Sequence, residues 1–247
     1  MNEPANTHHN EPANGLRALI PPEYTAVYER LSSKYVLGLE DVTIRERRFR
    51  FVCVQDLEPL LAGKDLFASV SDFPFWVKIW DASVALADMV ARLPLKPGVR
   101  VLEVGAGLGI TGVVAAAFGC NVTITDIEED ILDFSRLSAV INGCTTVSHA
   151  RLDWLSPSAG LNKFDMILGS EVLFNERFFL PLLNVFNQLL APGGVIYLAH
   201  SADRKSLARF LPLCAKDYDI ALQKKTLKAG EEQSKIVLTR LKYRGDL

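Results

Sequence analysis

The chain has 247 residues, nearly half of them hydrophobic, and a formal net charge of -2. That length suits one large domain with short additions, and the near-neutral balance without a basic block argues against a nucleic-acid partner. The longest apolar run falls short of the roughly 20 residues that span a bilayer, and the N-terminus lacks the basic and apolar pattern of a secretory leader. Cys53, Cys120, Cys144 and Cys214 are scattered, with no Cys-x-x-Cys pair and no His at metal spacing. The expectation is a cytoplasmic protein with reduced thiols and no metal.

In chain order, residues 1–15 are polar, repeat Asn-Glu-Pro-Ala-Asn, and read as a disordered tail. Residues 16–75 read as an N-terminal extension. It begins with a short helix over 21–33, after Pro21-Pro22. Over 42–54, Phe49 and Phe51 alternate with Arg48 and Arg50, which predicts a half-exposed strand or hairpin. Residues 57–62 suit a helical turn. The main domain is expected over 76–247, opening with a helix at 80–92. Strand-length runs then follow at 99–104, 121–125, 147–152, 164–169 and 195–199, separated by helical stretches near 109–118, 128–141, 176–190 and 204–215. Such alternation predicts an α/β fold, a Rossmann-like doubly wound, mostly parallel sheet. Two last strands, 218–225 and 235–242, complete seven strands with an antiparallel end, and the charged 228–233 segment reads as their hairpin loop. That loop and Arg45–Arg50 are read as solvated surface rather than as a substrate groove.

The first strand of the sheet runs into Gly105-Ala106-Gly107-Leu108-Gly109 and then a helix. Glycines let a ligand approach the backbone, and a helix N-terminus offers free amide donors. A nucleotide-like ligand at the strands' carboxyl ends is the geometric consequence. The third glycine comes one residue too early for a dinucleotide fingerprint, and Glu103 stands where a pyrophosphate would be repelled. A phosphate-free cationic ligand such as S-adenosylmethionine fits better, with Glu103 reaching its amine directly or through water. The competing role for Glu103 is a cap on the following turn. Asp126, at the end of the next strand, is placed to accept both ribose hydroxyls; the competing role is an ordinary helix cap.

Glu-x-Gly-x-Gly-x-Gly, a strand-end Asp and Leu152-Asp153-Trp154 resemble the class I S-adenosylmethionine-dependent methyltransferases. With Trp80-Asp81-Ala82-Ser83 and Ile167-Leu168-Gly169-Ser170-Glu171-Val172-Leu173-Phe174 in the same order, the chain is similar to the seven-β-strand protein lysine methyltransferases over about residues 43–241. The resemblance implies S-adenosylmethionine as cofactor. Trp80 would lie beside its methionine end, with Gly105, Ala106, Gly107 and Gly109 along its backbone. Asp126 and Ile127 would serve the ribose end, Asp153 and Trp154 the adenine, and Ser170 would lie beneath. It also implies a protein lysine as acceptor and Glu171 as the catalytic group aligning the amine. Phe174 stands where the family usually has tyrosine, keeping an aromatic wall without its hydroxyl. A small-molecule N- or O-methyltransferase, with His200 as a base, is the alternative. A nucleic-acid methyltransferase is disfavoured because Ser170-Glu171-Val172-Leu173 lacks the prolines of that class, and a non-catalytic binding module is disfavoured by Glu171. A monomer is expected.

Overall fold

The computed structural model describes residues 14–61, 74–157, 160–229 and 232–244. The expected tail lies outside the described residues up to residue 13. Its last two positions instead open a helix, α1 (Asn14–Leu19), because Leu16 finds a place in the core. A proline-started 3-10 turn, Pro22–Tyr24, leads into α2 (Thr25–Ser32). The Phe49/Phe51 alternation belongs to a hairpin of β1 (Leu37–Ile44) and β2 (Arg47–Val54), paired from Leu37↔Val54 to Ile44↔Arg47. Its two-residue turn, Arg45-Glu46, has φ values of 51° and 66°. Both lie in the left-handed region, whose twist matches that of two antiparallel strands. Phe49, Phe51, Val42 and Ile44 are buried while Arg47 and Arg48 stay exposed. A single helical turn, α3 (Glu58–Leu61), is the last element described before residue 74.

The main domain opens with α4 (Asp81–Arg92) and continues β3 (Arg100–Glu103), α5 (Ile110–Ala117), β4 (Asn121–Asp126), α6 (Glu129–Ile141), β5 (Val147–Arg151), β6 (Phe164–Ser170), α7 (Phe179–Leu189), β7 (Leu190–Ser201), α8 (Lys205–Cys214), β8 (Tyr218–Ala229) and β9 (Glu232–Tyr243). The seven strands lie in the order β5-β4-β3-β6-β7-β9-β8. The pairs from β5 through β7 are parallel; β9 runs antiparallel to both β7 and β8. This is the expected doubly wound sheet with an antiparallel end. Alternate residues of β3 serve opposite faces. Val101 packs with α4, α5 and the hairpin, and Leu102 with α7 and α8. A parallel strand buried on both faces needs such a continuous apolar run.

The 228–233 segment is not an extended loop. Lys228 pairs with Gln233 and Ala229 with Glu232, so only residues 230–231 lie between the strands. The ladder continues through the charged residues because backbone pairing does not require apolar side chains. Among the described residues, no helix is long and apolar enough to cross a membrane.

The hairpin is fastened to the sheet domain through α6. The Val52 amide donates to Ser138 Oγ at 3.0 Å, and Asn142 exchanges bonds of 3.1 and 2.6 Å with the Arg50 backbone. These side chains satisfy the open edge of β2. Fully buried Asp133 of α6 accepts from Arg30 Nε of α2 at 2.8 Å and also binds Arg136. A buried carboxylate held by two arginines ties the extension to the domain.

Helix α5 is packed closely on the sheet through Gly112. A Cβ there would lie 2.5 Å from Glu103 Oε2 and 2.7 Å from Ile124 Cγ1. Gly112→Ala is therefore expected to cost about 2 kcal/mol and to lower Tm by about 4–8 °C. A scanning-calorimetry melt checks this, and an unchanged Tm would show that α5 is not in such tight contact.

Candidate functional site

Strand β3 is where the sheet reverses direction of winding: its neighbours β4 and β6 are reached by crossovers to opposite sides. At such a switch point the loops leaving adjacent strands diverge and open a crevice. A cavity of about 550 Å³ lies there, lined by both the β3 and the β6 loops. The β3 loop turns three times through the left-handed region, at Gly105 (φ 57°), Gly107 (54°) and Gly109 (77°). Side-chain-bearing residues adopt that backbone only with strain. Ala106 N donates to Thr125 O at 3.0 Å, which anchors the turn to β4.

Gly105, Ala106 and Gly107 line the cavity; Gly109 does not. Gly109 precedes α5, and a Cβ on it would meet Ser135 Cβ of α6 at 2.7 Å. Its glycine is required by helix packing. Glu103 likewise does not reach the cavity. It is buried, and its Oε2 accepts from the Gly112 amide at 2.9 Å, in the first turn of α5. The expected contact with a ligand amine gives way to the capping role, because the free amides at the helix N-terminus are nearer than the ligand space. Burial pushes the Glu103 carboxyl up to about 8, against the opposing hydrogen bonds from Gly112 and Thr111.

Asp126 does line the cavity. Its Oδ2 accepts from Gly107 N at 3.0 Å and its Oδ1 from Ile127 N at 2.8 Å. Burial raises its carboxyl above the usual range, while these amide bonds pull it back. Each oxygen keeps lone-pair capacity for a second donor. Ile127 lines the same end and is exposed toward it. Asp153 is also at the wall, with one oxygen closing a local turn on Leu155 N at 2.9 Å. Trp154 lies across the glycine turn, where a Cβ on Gly105 would be 3.0 Å from its Cζ2. Its ring meets Phe178 edge-on at 5.7 Å and Phe174 at 6.5 Å. Trp154 therefore stands between the two ends of the cavity.

The other end is aromatic. Trp80 donates its indole N–H to Phe75 O at 2.8 Å and packs on the Phe75 ring. Phe174 is 54% exposed at the mouth, with its ring 5.3 Å from that of Phe178. Ser170 and Glu171, leaving β6, lie at the junction. Glu171 holds a φ of 54°, unusual for a residue with a side chain. Its amide donates to Ala199 O at 2.9 Å, its Oε1 accepts from Ser201 N at 2.6 Å, and its Oε2 is ion-paired with Arg204 Nε. Two strand ends thus hold the carboxylate in a strained but over-determined position.

His200 is not available as a base. It is fully buried outside the cavity, and burial together with the nearby Arg204 charge pushes it down to about 3. Among the lining residues that sequence reasoning misses are Phe75, Lys78, Arg177, Phe178 and Arg204. The run of aromatics at Phe174, Phe178 and Phe179 is a readable signal. Arg204 gives none, since it meets Glu171 only through pairing of β6 with β7. Among the described residues there is no cluster of groups able to hold a metal ion.

Glycine-rich backbone beside a carboxylate with spare acceptor capacity suits the ribose of a nucleoside. The Rossmann-like sheet has the fold of several solved structures whose own descriptions name them as methyltransferases. One is the N-methyltransferase NodS from Bradyrhizobium japonicum, with TM-score 0.53, 18% identity, and coverage of 77% of this chain and 97% of that one. The lysine methyltransferase family matches residues 73–217, and the chain belongs to it. The mouse EEF1A lysine methyltransferase 3 is 34% identical over 127 residues, 49% of this chain and 54% of that protein. The zebrafish (Danio rerio) protein N-lysine methyltransferase METTL21A is 35% identical over 144 residues, 54% of this chain and 64% of that protein. The chain thus spans between half and two thirds of the length of these relatives.

The buried Glu103 has a pH consequence. Its folded value, about 8, lies above the ordinary 4.5. The folded state therefore holds the proton more tightly, and the resulting stabilisation is complete below pH 4.5 and lost as pH rises through 8. Glu103→Gln, which keeps an acceptor for Gly112 N, is expected to flatten this dependence by on the order of 2 kcal/mol. Urea unfolding at about pH 5, 6.5 and 8 measures it; parallel curves for the two proteins would refute a neutral carboxyl.

Proposed function

We propose that the chain is an S-adenosylmethionine-dependent methyltransferase acting on the side-chain amine of a lysine in a protein. The observation that carries this reading is one continuous cavity joining the glycine turn and Asp126 to an aromatic mouth, with Glu171 between them. S-adenosylmethionine, when bound, supplies an electrophilic methyl group on its sulfonium. Gly105, Ala106 and Gly107 would border it, Asp126 would take the ribose hydroxyls, and Ile127, Asp153 and Trp154 would enclose the base. Trp80 and Ser170 would border the methionine end.

The acceptor side follows from the mouth. A wall of Phe174, Phe178 and Trp154 suits the apolar stem of a lysine, and its ring faces favour the methylated ammonium product. Phe174 opens to solvent, which suits a side chain reaching in from a protein surface better than an enclosed metabolite. A lysine amine, which in water ordinarily titrates near about 10.4, must lose a proton before it attacks. Glu171 is occupied by Arg204 and Ser201, and His200 lies elsewhere. Glu171 therefore acts by orienting the amine with its remaining lone pairs, and the proton leaves through the open mouth to water. Fixed orientation of the nucleophile is the main catalytic contribution such a site can make.

The four free thiols suit a reducing compartment, and we place the protein in the cytoplasm. Burial raises both Cys53 and Cys214 to about 12, so they are inert packing groups.

Asp126→Ala is expected to weaken S-adenosylmethionine binding about 10–100-fold. Glu171→Ala should leave that affinity within a few-fold and lower kcat about 100-fold. Calorimetry and transfer of labelled methyl to proteins of a lysate lacking the enzyme read the two effects. The division of roles fails if the order of binding losses is reversed, and the lysine reading fails if label enters only the small-molecule fraction.

A further inference from the structure

We infer that the mouth selects lysines set among acidic side chains, with Lys78 and Arg177 forming a cationic rim that receives carboxylates flanking the acceptor. This rests on the lysine reading above. The two residues come from different parts of the chain. Lys78 lies just before α4, and Arg177 in the 3-10 turn Glu176–Phe178 that precedes α7. Both are exposed and both line the cavity.

Each cation rests on one aromatic wall. Lys78 Nζ lies 5.2 Å from the centre of the Trp80 ring, and the Arg177 guanidinium carbon 4.5 Å from that of Phe178. Stacking occupies the face of the guanidinium and leaves the N–H edges free for a carboxylate, the fork geometry that Arg offers and Lys lacks. Neither cation has a carboxylate partner among the described residues, whereas nearby Glu176 is taken by Arg209 and Glu171 by Arg204.

The charge balance at this end is therefore positive. Among the described lining residues, Lys78, Arg177 and Arg204 face one carboxylate, Glu171, on a chain whose formal net charge is -2. The remaining acidic lining residues, Asp126, Glu128 and Asp153, belong to the glycine-turn end, following β4 and β5. A lysine embedded in a basic segment would bring further like charges within about 8–10 Å of the rim, a range over which salt does not fully screen them. Acidic neighbours would gain two solvent-exposed pairs. Such pairs are individually weak, so the rim tunes the choice of acceptor while the aromatic walls provide the grip.

The test uses the full chain saturated with S-adenosylhomocysteine and three fluorescent peptides, each with a central lysine flanked by Glu, by Gln or by Arg. Binding is read by anisotropy. At low salt the Glu-flanked peptide should bind about five-fold tighter than the Gln-flanked one and the Arg-flanked one weakest. The preference should shrink at about 0.15 M salt. The double variant Lys78→Glu, Arg177→Glu should reverse it, and Lys78→Gln, Arg177→Gln should abolish it, with melts unchanged and cofactor affinity retained. Equal binding of the three peptides, no binding of the Glu-flanked one, or loss of cofactor binding in the Lys78 variants would overturn the inference. The lysine reading fails separately. If the preference holds but labelled S-adenosylmethionine modifies no lysine in the lysate, the lysine reading is wrong and only the rim's capture of acidic segments stands. If modified lysines lie in basic surroundings, the rim is wrong and the reading stands.

Discussion

The contact between Glu103 and the first turn of α5 sets the geometry on which the cavity depends. The carboxyl end of β3 must deliver a ligand-approachable backbone, yet the three left-handed glycines of the turn have little conformational preference of their own. A buried acceptor on the last residue of β3, bound to Gly112 N, holds the helix start at a defined distance from the strand end. The small residues at 109 and 112 then let α5 sit close to β4 and α6. Loosening this contact would leave Gly105 and Gly107 free to sample conformations that close the crevice.

The cavity carboxylates share a second constraint. Asp126 is held by two backbone amides, Asp153 by one, and Glu171 by an amide and an arginine. Each is oriented by the fold and keeps some capacity for a ligand. A carboxylate fixed by several bonds presents its free lone pairs in defined directions. Among the described residues, Glu171 is the one of the three paired with a cation, Arg204.

Much of the architecture is legible in the sequence because it rests on short-range periodicity. Strand-length apolar runs alternating with helical stretches dictate a parallel sheet, and its switch point puts the ligand space beside Gly105–Gly107 and Asp126. The readings that shift are those where one residue has two chemically sensible partners. Glu103 could serve a ligand amine or helix amides, and Gly109 a ligand or a neighbouring helix; packing distances choose the second each time. The charged 228–233 segment resembles a loop because charge is usually solvated, but a backbone ladder tolerates charged side chains on an edge strand.

What the sequence by itself determined was the doubly wound sheet, the glycine turn after β3, the strand-end Asp126 and an aromatic, acidic segment after β6. These follow from local backbone preference and hydrophobic period, which few residues encode together. Only the tertiary structure decided which groups meet at the mouth. Arg204 reaches Glu171 across the β6–β7 pair, and Lys78 and Arg177, far apart in the chain, come to two aromatic rings of one cavity. Such encounters depend on how strands are ordered and helices laid over them, and no spacing along the chain records that.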